Sequence, residues 1–565
     1  MSYGFSRDQW YNYIADRSHP PVASAVVEKP EYDPDHVYAW RPANNYKGWK
    51  LIARGKAGVD DASVIQKALD SLTPNRTWKE RVVLKGDFIV NNTILIPDYT
   101  ILDLEHSYVK LANGVNKPIF KNSGTTGYID IVGGVLDGNK ANNPDSDSHG
   151  ILILGNSTTY NICIMNVTVK DTYGTGINIV NCKYAFVEGC YTKGTYWHGI
   201  RFNAVIHGRI INNTTINSEN AQGIVISGMR DTGYETDVGE NRYIEIIGNN
   251  VRNNAENGIE VLASRDITVL GNSVEYNGKF GIWVGSHNPS GTYIGNVERI
   301  EIIGNQVRYN GQIGKDGYAG IQVDADNASY IGAVKDITIE GNIVGLHTKA
   351  KQHGISLRFA TECKVIGNTV YNNGDRGIRL YCSSDNVIKG NICKNNNQKG
   401  TTGDGIRLED DGTNGCLYNV IVGNRCFDNQ DTKTQQYGIR EVGVSDFNLI
   451  IGNIVVGNAV SGIHKVGANT IVKRNIGYTT ENSGSAKVTG NGTDTTFTVD
   501  IDHGLVKDKV VAKITLDREG TVDKVYLVDK DGDGFKETLR VVVTYATAPA
   551  DGEEIPIYWE AEVVS

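Results

Sequence analysis

The sequence predicts an all-β solenoid, a parallel β-helix with a short capping helix before it and a small β domain after it. Two recurring motifs carry this prediction. Gly-Ile occurs twelve times between residues 150 and 463, at shortest intervals of 23 and 24 residues. Gly-Asn-x-Val, with Cys in place of Val at two sites, keeps the same period at Asn249, Asn272, Asn305, Asn342, Asn368, Asn391, Asn424 and Asn453. Self-similarity with a period in the twenties is typical of solenoids, in which each repeat packs on the next.

The amino-terminal part precedes the repeats. Residues 1–50 are rich in aromatic residues, Pro and Asp without a clear period, and we expect an extended arm that packs on another surface. Residues 51–110 are expected to hold the cap and the first rungs. There Asp60 or Asp61 can cap a helix whose apolar stripe covers the end of the solenoid. The stripe consists of Val64, Ile65, Ala68 and Leu69.

Residues 111–483 are predicted to form the β-helix itself. Segments such as RYIEIIGNNV and RDITVLGNSV alternate apolar and polar residues, which indicates strands with one face inside. The repeated asparagines can stack as a hydrogen-bonding ladder, and the glycine before each isoleucine would permit a turn. Cys393 and Cys426 occupy the slot of Val in sister repeats. We interpret them as small core residues rather than as a disulfide or a metal site.

Residues 484–565 break the period and predict a separate, β-sandwich-like domain. Its VDKDGDGFKE segment has acids at alternate positions, Asp529, Asp531 and Asp533, as calcium loops do. Arg540 stands where such a loop needs its last acid. Two interpretations remain, a Ca²⁺ site and a hairpin turn with solvated acids. No other cofactor is required.

The totals exclude several functions. The formal net charge of the 565 residues is -9, whereas a nucleic-acid surface needs a basic face. No apolar run is long enough to span a membrane, and the first residues lack the apolar segment of a secretory signal. We therefore expect no nucleic-acid or membrane partner. The protein is either cytosolic or reaches the outside without a visible signal, for example by lysis or on a virion, and of these we expect an extracellular or virion-associated location.

The segments GVDDASVIQKAL and LDGN (136–139) give the chain a family resemblance. About residues 51–480 resemble the pectate-lyase-like right-handed β-helix superfamily, which includes polysaccharide lyases, glycoside hydrolases, mannuronan epimerases and phage tailspikes. The resemblance implies a right-handed β-helix that binds or modifies a polysaccharide. Epimerases and related alginate lyases carry Tyr-Gly-Phe-Asp-Pro-His-Glu, but here Tyr173-Gly174 is followed by TGINIV, without that Asp and His. The acidic motifs of the polygalacturonase type are also missing. The carboxy-terminal domain is similar to terminal domains of viral and tail-fibre-like proteins.

The period sorts the outward-facing residues into columns, because rungs of a parallel sheet stack ~4.8 Å apart. The residue after each Gly-Ile faces outward, and so does the residue two further on. Insertions at 228–243, 286–297, 309–319 and 325–334 lie nearby, as loops at a binding face do. We expect a polysaccharide groove on the middle rungs. Its candidate residues are Glu260, Trp283, Asp324, Arg358, Arg379, Tyr381, Arg407 and Glu409.

The spacing of two carboxylates suggests a chemistry. Glu260 and Asp324 stand two rungs apart, roughly 9–10 Å, and inverting glycoside hydrolysis wants carboxyl groups about 6.5–9.5 Å apart. Glu260 beside Trp283 would donate the proton, and Asp324 beside Arg358 would stay ionised as the base. The alternative is a set of solvated charges and cross-rung pairs.

Two further clusters keep other functions open. Arg379, Arg407 and Arg440 form a row on successive rungs. Their charge is balanced either by the protein's own acids, Glu409, Asp410 and Glu441, or by the anionic groups of an acidic glycan. If the glycan is a uronan, β-elimination becomes possible. An earlier cluster contains Asp137 and Asn203 together with four alternative catalytic residues, His149, Tyr173, His198 and Arg201. Its His and Tyr side chains would be a base and an acid for elimination. The competing hypotheses are a polysaccharide-cleaving enzyme, a homotrimeric tailspike or fibre that binds a receptor glycan, and a purely structural β-helix.

Overall fold

The computed structural model describes residues 23–43, 48–156, 158–228, 241–286, 295–400, 402–507, 509–532 and 534–563. Nearly all regular structure is β, and the α-helix of these residues is Asp61–Asp70. Short 3₁₀ turns lie at Lys140–Asn142 and Ala328–Tyr330. No helix in these ranges has the length and apolar character needed to cross a membrane. The chain divides into two compact units, Met1–Lys364 with Asn368–Gly374, and Val365–Gly367 with Asp375–Ser565.

The strands that follow Gly-Ile form a parallel sheet in each unit, here called the Gly-Ile sheet. In the first unit, two strands precede the motif and eight contain it: Ile94–Ile96, Phe120–Asn122, Ile151–Leu154, Ile177–Val180, Ile200–Asn203, Ile224–Ser227, Ile259–Leu262, Ile282–Gly285, Ala319–Asp324 and His353–Arg358. In the second unit they are Ile378–Tyr381, Ile406–Glu409, Tyr437–Glu441 and Ser461–His464.

The remaining strands of each rung run parallel to their counterparts on the next rung. In the first unit they are Thr100–Leu111, Gly127–Asp137, Tyr160–Met165, Thr168–Lys170, Lys183–Glu188, Tyr191–Lys193, Ile206–Ile211, Thr214–Ile216, Asn241–Ile247, Asn250–Arg252, Ser264–Leu270, Ser273–Glu275, Val297–Ile303, Gln306–Arg308, Val334–Glu340, Ile343–Gly345 and Thr369–Tyr371. In the second unit they are Val387–Lys389, Ile392–Lys394, Val420–Val422, Arg425–Phe427, Leu449–Ile451 and Ile471–Lys473. Lys364–Ile366 spans the division of the chain.

The strand register confirms the predicted columns. Ile177 pairs with Ile200, which pairs with Ile224, and these isoleucines are fully buried. Because side chains alternate along a strand, the residues between them face away from the core. The repeat therefore sets both the core and the outward columns of the Gly-Ile sheet.

The two recurring glycines serve different purposes. A Cβ on Gly176 or Gly199 would lie 2.7 Å from the glycine carbonyl oxygen of the next rung. The glycine before isoleucine is thus needed for close stacking of rungs. It lies at a bend directly before the strand, as at Gly176 and Gly199, but without a left-handed backbone conformation. The glycine before asparagine does need conformational freedom, since Gly271 has φ +63°, in the left-handed region.

The asparagines form the predicted ladder. Each side-chain Nδ2 donates to the Oδ1 of the next rung, as from Asn249 to Asn272 and from Asn272 to Asn305, both at 2.9 Å. Backbone N–H groups donate to the same oxygens, at 2.8 Å from Asn249. All eight cysteines are buried and none is joined in a disulfide bond, and Cys393 pairs in register with Cys426. Their interpretation as core residues is confirmed.

The capping helix differs in detail from its prediction. Asp60 occupies the N-cap position but its carboxylate accepts the Lys56 N–H rather than a helix N–H. Asp61 is fully buried and accepts from Ile89 N–H and Lys29 Nζ, both at 2.7 Å. The apolar stripe from Val64 to Leu69 is buried as expected.

The described part of the amino-terminal arm belongs to a sheet. Ala25–Glu28 runs parallel to Glu80–Lys85 and antiparallel to His36–Pro42. His36–Pro42 in turn pairs with Trp49–Lys56, and the first rung is completed by Asp87–Val90. Residues 25–42 therefore form extended strands that pair with the first strands of the solenoid.

The carboxy-terminal residues form two antiparallel three-stranded sheets. One contains Glu481–Thr489, Val510–Leu516 and Glu554–Val563, and the other contains Thr496–Asp502, Gly520–Val528 and Thr538–Tyr545. The two sheets share an apolar core that includes Val541, Tyr545 and Trp559. This arrangement is a small sandwich-like domain, as the sequence predicts.

Candidate functional site

The outward columns of the first unit carry the predicted candidates. One column runs through Asn178, Arg201, Val225, Glu260, Trp283, Gln322 and Ser356. The next runs through Val180, Asn203, Ser227, Leu262, Gly285, Asp324 and Arg358. Although these side chains face away from the core, Glu260 is 2% and Asp324 6% exposed. Neither carboxylate is therefore a solvated surface charge, whereas the other part of the alternative, a cross-rung pair, is present between Asp324 and Arg358.

Glu260 is held by two neutral amides. Gln222 Nε2 donates to Glu260 Oε2 at 2.7 Å, and Asn257 Nδ2 donates to the same oxygen at 2.6 Å. Sequence reasoning did not assign Gln222 or Asn257 to the site. Both precede a Gly-Ile motif, as His149 and His198 do, and that shared position is the signal that could have found them.

Trp283 follows Glu260 in the column but does not offer an open platform for a sugar. Its indole is 5% exposed and packs with Leu262 and Ala263. Phe280 lies beside it, with ring centroids 5.8 Å apart. The tryptophan thus forms an apolar wall next to Glu260.

Asp324 forms the expected ion pair. Arg358 Nη1 lies 3.2 Å from Asp324 Oδ1, and the Asp326 N–H donates to that oxygen at 2.6 Å. Gln322, not Asp324, continues the column of Glu260, so the backbones of Glu260 and Asp324 are ~12 Å apart, further than two rungs alone. Gln322 Nε2 lies 3.3 Å from Asp324 Oδ2, which shows that the carboxylate leans towards that column.

The earlier cluster lies on the same face, and the structure connects it to Glu260. His198 is hydrogen-bonded to Gln222, which holds Glu260, and it interacts electrostatically with Arg201 and His149. Tyr173 instead stacks on Tyr196 with ring centroids 4.3 Å apart. Three of the four predicted residues are therefore brought together, and the two clusters that the sequence separated are joined through one glutamine.

Both histidines of this cluster are neutral at ordinary pH. Burial lowers the pKa of His149 to about 4, against the opposing field of Asp147. Burial, together with Arg201, holds the pKa of His198 well below its ordinary value. The residues 229–240 and 287–294 of the predicted insertions lie outside the described residues.

The second unit contains the arginine row, described by itself. Glu409 contacts Arg376 at 2.5 Å, Arg379 at 2.6 Å and Arg407 at 3.2 Å. Arg379 also lies over the ring of Tyr381, 4.5 Å from its centroid. Asp375 also contacts Arg376, and Asp404 Oδ2 lies 3.4 Å from Arg407 Nη1. The protein's own carboxylates thus pair with these arginines, which favours the structural alternative for the row.

The acids around this row have different roles. Burial alone would raise the pKa of Glu409, but its arginine partners outweigh burial and the pKa lies below the usual range. Burial raises the pKa of Asp404 to about 7, although Arg407 lies near it. Glu441 pairs in register with the buried Leu408 and accepts from Asn448 and Thr470, so it faces the interior rather than the arginines.

The acidic turn of the last domain retains both interpretations. Asp529, Asp531 and Glu537 each place a carboxylate oxygen within 4.8 Å of the others, so these residues could hold a cation. The Asp529 carboxylate also accepts the N–H groups of Gly532 and Gly534, as in a plain turn. Asp533 lies outside the described residues, and Ca²⁺ binding here stays a prediction.

Comparisons with known proteins address the fold. The family model described as "Right handed beta helix region" matches residues 286–499. A comparison with curated protein sequences gives no match. A double mutant of the tailspike protein of E. coli bacteriophage HK620 is 14% identical, with 89% of this chain and 90% of that chain covered and a TM-score of 0.51. At such identity the likeness shows the fold alone.

Two other solved structures have lower TM-scores. The tailspike protein gp49 from Pseudomonas phage LKA1 is 11% identical, with 89% of this chain and 92% of that chain covered and a TM-score of 0.47. The A-module of Azotobacter vinelandii mannuronan C-5 epimerase AlgE4 is 17% identical, with 74% and 97% covered and a TM-score of 0.44. Together with the stacked parallel strands, the family-model match and the HK620 tailspike likeness show that the chain is a right-handed parallel β-helix protein.

Proposed function

We propose that this protein binds a polysaccharide along the outward face of the Gly-Ile sheet in its first unit and hydrolyses it there. The observation that carries the proposal is Glu260, a carboxylate that faces away from the core yet is buried and held by Gln222 and Asn257. A buried carboxylate costs stability, and a strand on an outer face has no structural need for one. Such groups are candidates for function.

The shape of the polar row suits a chain-like ligand. This row consists of the outward-facing residues from Asn178 to Asp324. It follows six rungs, about 24 Å, the length of several sugar units. Trp283 provides one apolar wall, and Arg358 with Asp324 lies at one end. A row of this length on one face accommodates an extended glycan rather than a compact small molecule.

In the proposed hydrolysis, Glu260 donates a proton to the leaving oxygen and Asp324 activates water. The backbone separation of ~12 Å is too long for the ~5 Å carboxyl spacing of retaining enzymes. With both side chains reaching into the groove, the pair suits inversion, in which a water molecule lies between the sugar and the base. Arg358 orients Asp324 for this role.

Elimination is the second candidate reaction. It is favoured by His198, a neutral imidazole close to Arg201 whose Nδ1 has no protein hydrogen-bond partner among the described residues. A neutral imidazole can take the proton next to a uronate carboxylate, and an arginine can neutralise that carboxylate. This reaction leaves an unsaturated uronate, which absorbs ultraviolet light, whereas hydrolysis does not.

A panel of neutral and acidic glycans with product analysis tests the proposal. We expect Glu260→Gln and Asp324→Asn each to lower kcat/KM by about 100-fold or more, the usual contribution of a general acid or base. Glu301→Gln is the matched control, because Glu301 is an exposed acid of another sheet. Full activity in either site variant would overturn the hydrolase assignment, and an ultraviolet-absorbing product lost in His198→Gln would establish elimination instead.

The same fold also suits a receptor-binding spike, with or without cleavage. In that case the protein would act outside the cell or on a virion as a homotrimer. Binding without any product in the panel would favour this role, and the mass of the protein in solution reports its oligomeric state.

A further inference from the structure

Four side chains on rungs that precede Glu260 are turned to the outer face with polar atoms that no described protein group satisfies. They are here called the hydroxyl subsite: His149, Asn178, His198 and Asn203. Asn203 is 0% exposed, and neither its Nδ2 nor its Oδ1 has a partner. Buried polar groups in native proteins are satisfied by protein, water or ligand, so these atoms point to a polar occupant.

The four residues lie on neighbouring rungs. In register, Asn178 is opposite Arg201, and Asn203 is two residues beyond Arg201 on the same strand. His198 precedes that strand, and His149 is near enough to His198 and Arg201 to interact electrostatically with both. The subsite therefore spans three rungs, about 10 Å along the solenoid, a suitable size for one or two sugar rings.

The protein's own hydrogen bonds set which atom of each histidine carries the proton. The Thr175 N–H donates to His149 Nδ1 at 2.8 Å, so the proton of the neutral ring is on Nε2, an unpartnered donor. The Gln222 amino group donates to Glu260 at 2.7 Å and to Glu256 at 3.3 Å, so its carbonyl oxygen accepts from His198. His198 Nδ1 is then a bare acceptor.

The subsite thus mixes donors and acceptors. Its donors are His149 Nε2–H and Asn203 Nδ2, and its acceptors are His198 Nδ1 and the side-chain oxygens of Asn178 and Asn203. A hydroxyl group both donates and accepts hydrogen bonds. A carboxylate or sulfate only accepts, and here it would face three acceptor atoms of the protein. Arg201, on the same strand as Asn203, donates from Nη2 to Ser227 Oγ at 3.3 Å.

We infer that the hydroxyl subsite binds a sugar ring of the glycan through its hydroxyl groups rather than through an anionic group. This inference rests on the proposed function, because it assumes that the glycan follows the same face past Glu260. Asn203 would then determine which sugar is bound, two rungs away from Glu260, where cleavage is proposed.

The test uses Glu260→Gln as the background, so that binding is measured without cleavage. The probes are an array of cello-, malto-, manno- and galacto-oligosaccharides, with oligogalacturonate and oligomannuronate as acidic counterparts. We expect a neutral oligosaccharide to bind, and its Kd to rise at least 10-fold when Asn203→Leu is added. Asn250→Leu, on a strand outside the Gly-Ile sheet, should leave that Kd unchanged.

Thermal unfolding separates recognition from a structural role. Asn203 has no side-chain hydrogen bond to lose within the described part of the chain, so Asn203→Leu should unfold at the same or a higher temperature. Unchanged binding in Asn203→Leu, binding of acidic glycans alone, no binding of any neutral glycan, or a lowered unfolding temperature would each overturn the inference. Failure of the proposed hydrolysis is seen separately, as full cleavage by Glu260→Gln.

Discussion

Replacing His347 by asparagine should make the first unit less sensitive to acid. His347 is 1% exposed and interrupts a row of asparagines, in which Asn277 Nδ2 donates to Asn310 Oδ1 at 2.9 Å and the His347 N–H donates to Asn373 Oδ1 at 3.5 Å. The Asn310 N–H then donates to His347 Nδ1 at 2.9 Å, where another rung would offer an asparagine oxygen. An asparagine at 347 can accept the same N–H without titrating.

The size of the effect follows from the pKa. Burial lowers the pKa of His347 to about 4, below its ordinary 6.5. A depressed pKa contributes stability that is present above pH 6.5 and is lost as the pH falls through 4. Relative to neutral pH, protonation of His347 lowers the free energy of unfolding by about 2 kcal/mol at pH 5 and by about 3 kcal/mol below pH 4.

Urea unfolding of the unsubstituted protein and of His347→Asn, at pH 8 and at pH 5, measures this contribution of His347 to the free energy of unfolding. We expect the free energy of unfolding of His347→Asn, relative to the unsubstituted protein, to rise by about 2 kcal/mol between pH 8 and pH 5. His106→Asn is the control, because His106 is exposed. An equal difference at the two pH values would refute the assignment of His347 as a buried neutral group.

Three further predictions concern the second unit and the assembly. Glu409→Gln should lower the free energy of unfolding by about 3 kcal/mol, since three arginines lose their carboxylate; unchanged urea stability would contradict this. Asp404 has a pKa raised by burial to about 7, so its stabilising contribution is complete below its ordinary 3.8 and is lost as the pH rises through 7. The free energy of unfolding of Asp404→Asn, relative to the unsubstituted protein, should therefore be about 3 kcal/mol higher at pH 8 than at pH 5. A relative stability that is instead higher at pH 5 would contradict this. Light scattering should give the mass of three chains if the protein is a spike, and a monomer mass would remove that role.

Much of the scaffold could be predicted from the sequence. A parallel sheet admits one register per rung, so the period alone places Glu260 opposite Trp283 and Asp324 opposite Arg358. The asparagine ladder and the buried cysteines follow from the same repetition. The purpose of the glycine before isoleucine could not be predicted, because it depends on how closely the neighbouring rung approaches.

The details of the candidate site could not be predicted in the same way. Whether an outward residue is buried depends on what packs over it, and alternation along a strand says nothing of that. The bond from Gln222 to Glu260 joins residues 38 positions apart and depends on side-chain orientation. The arginine row was ambiguous because Glu409 and an acidic ligand would satisfy it equally, and only contacts distinguish them.

The most direct test of the central claim follows the anomeric configuration of fresh products by NMR. The protein is incubated with the glycan that it cleaves, and the reducing end formed first is observed before mutarotation. The separation of Glu260 and Asp324 predicts a product with inverted configuration, absent with Glu260→Gln. A product with retained configuration, an unsaturated sugar, or unchanged cleavage by Glu260→Gln would contradict the account.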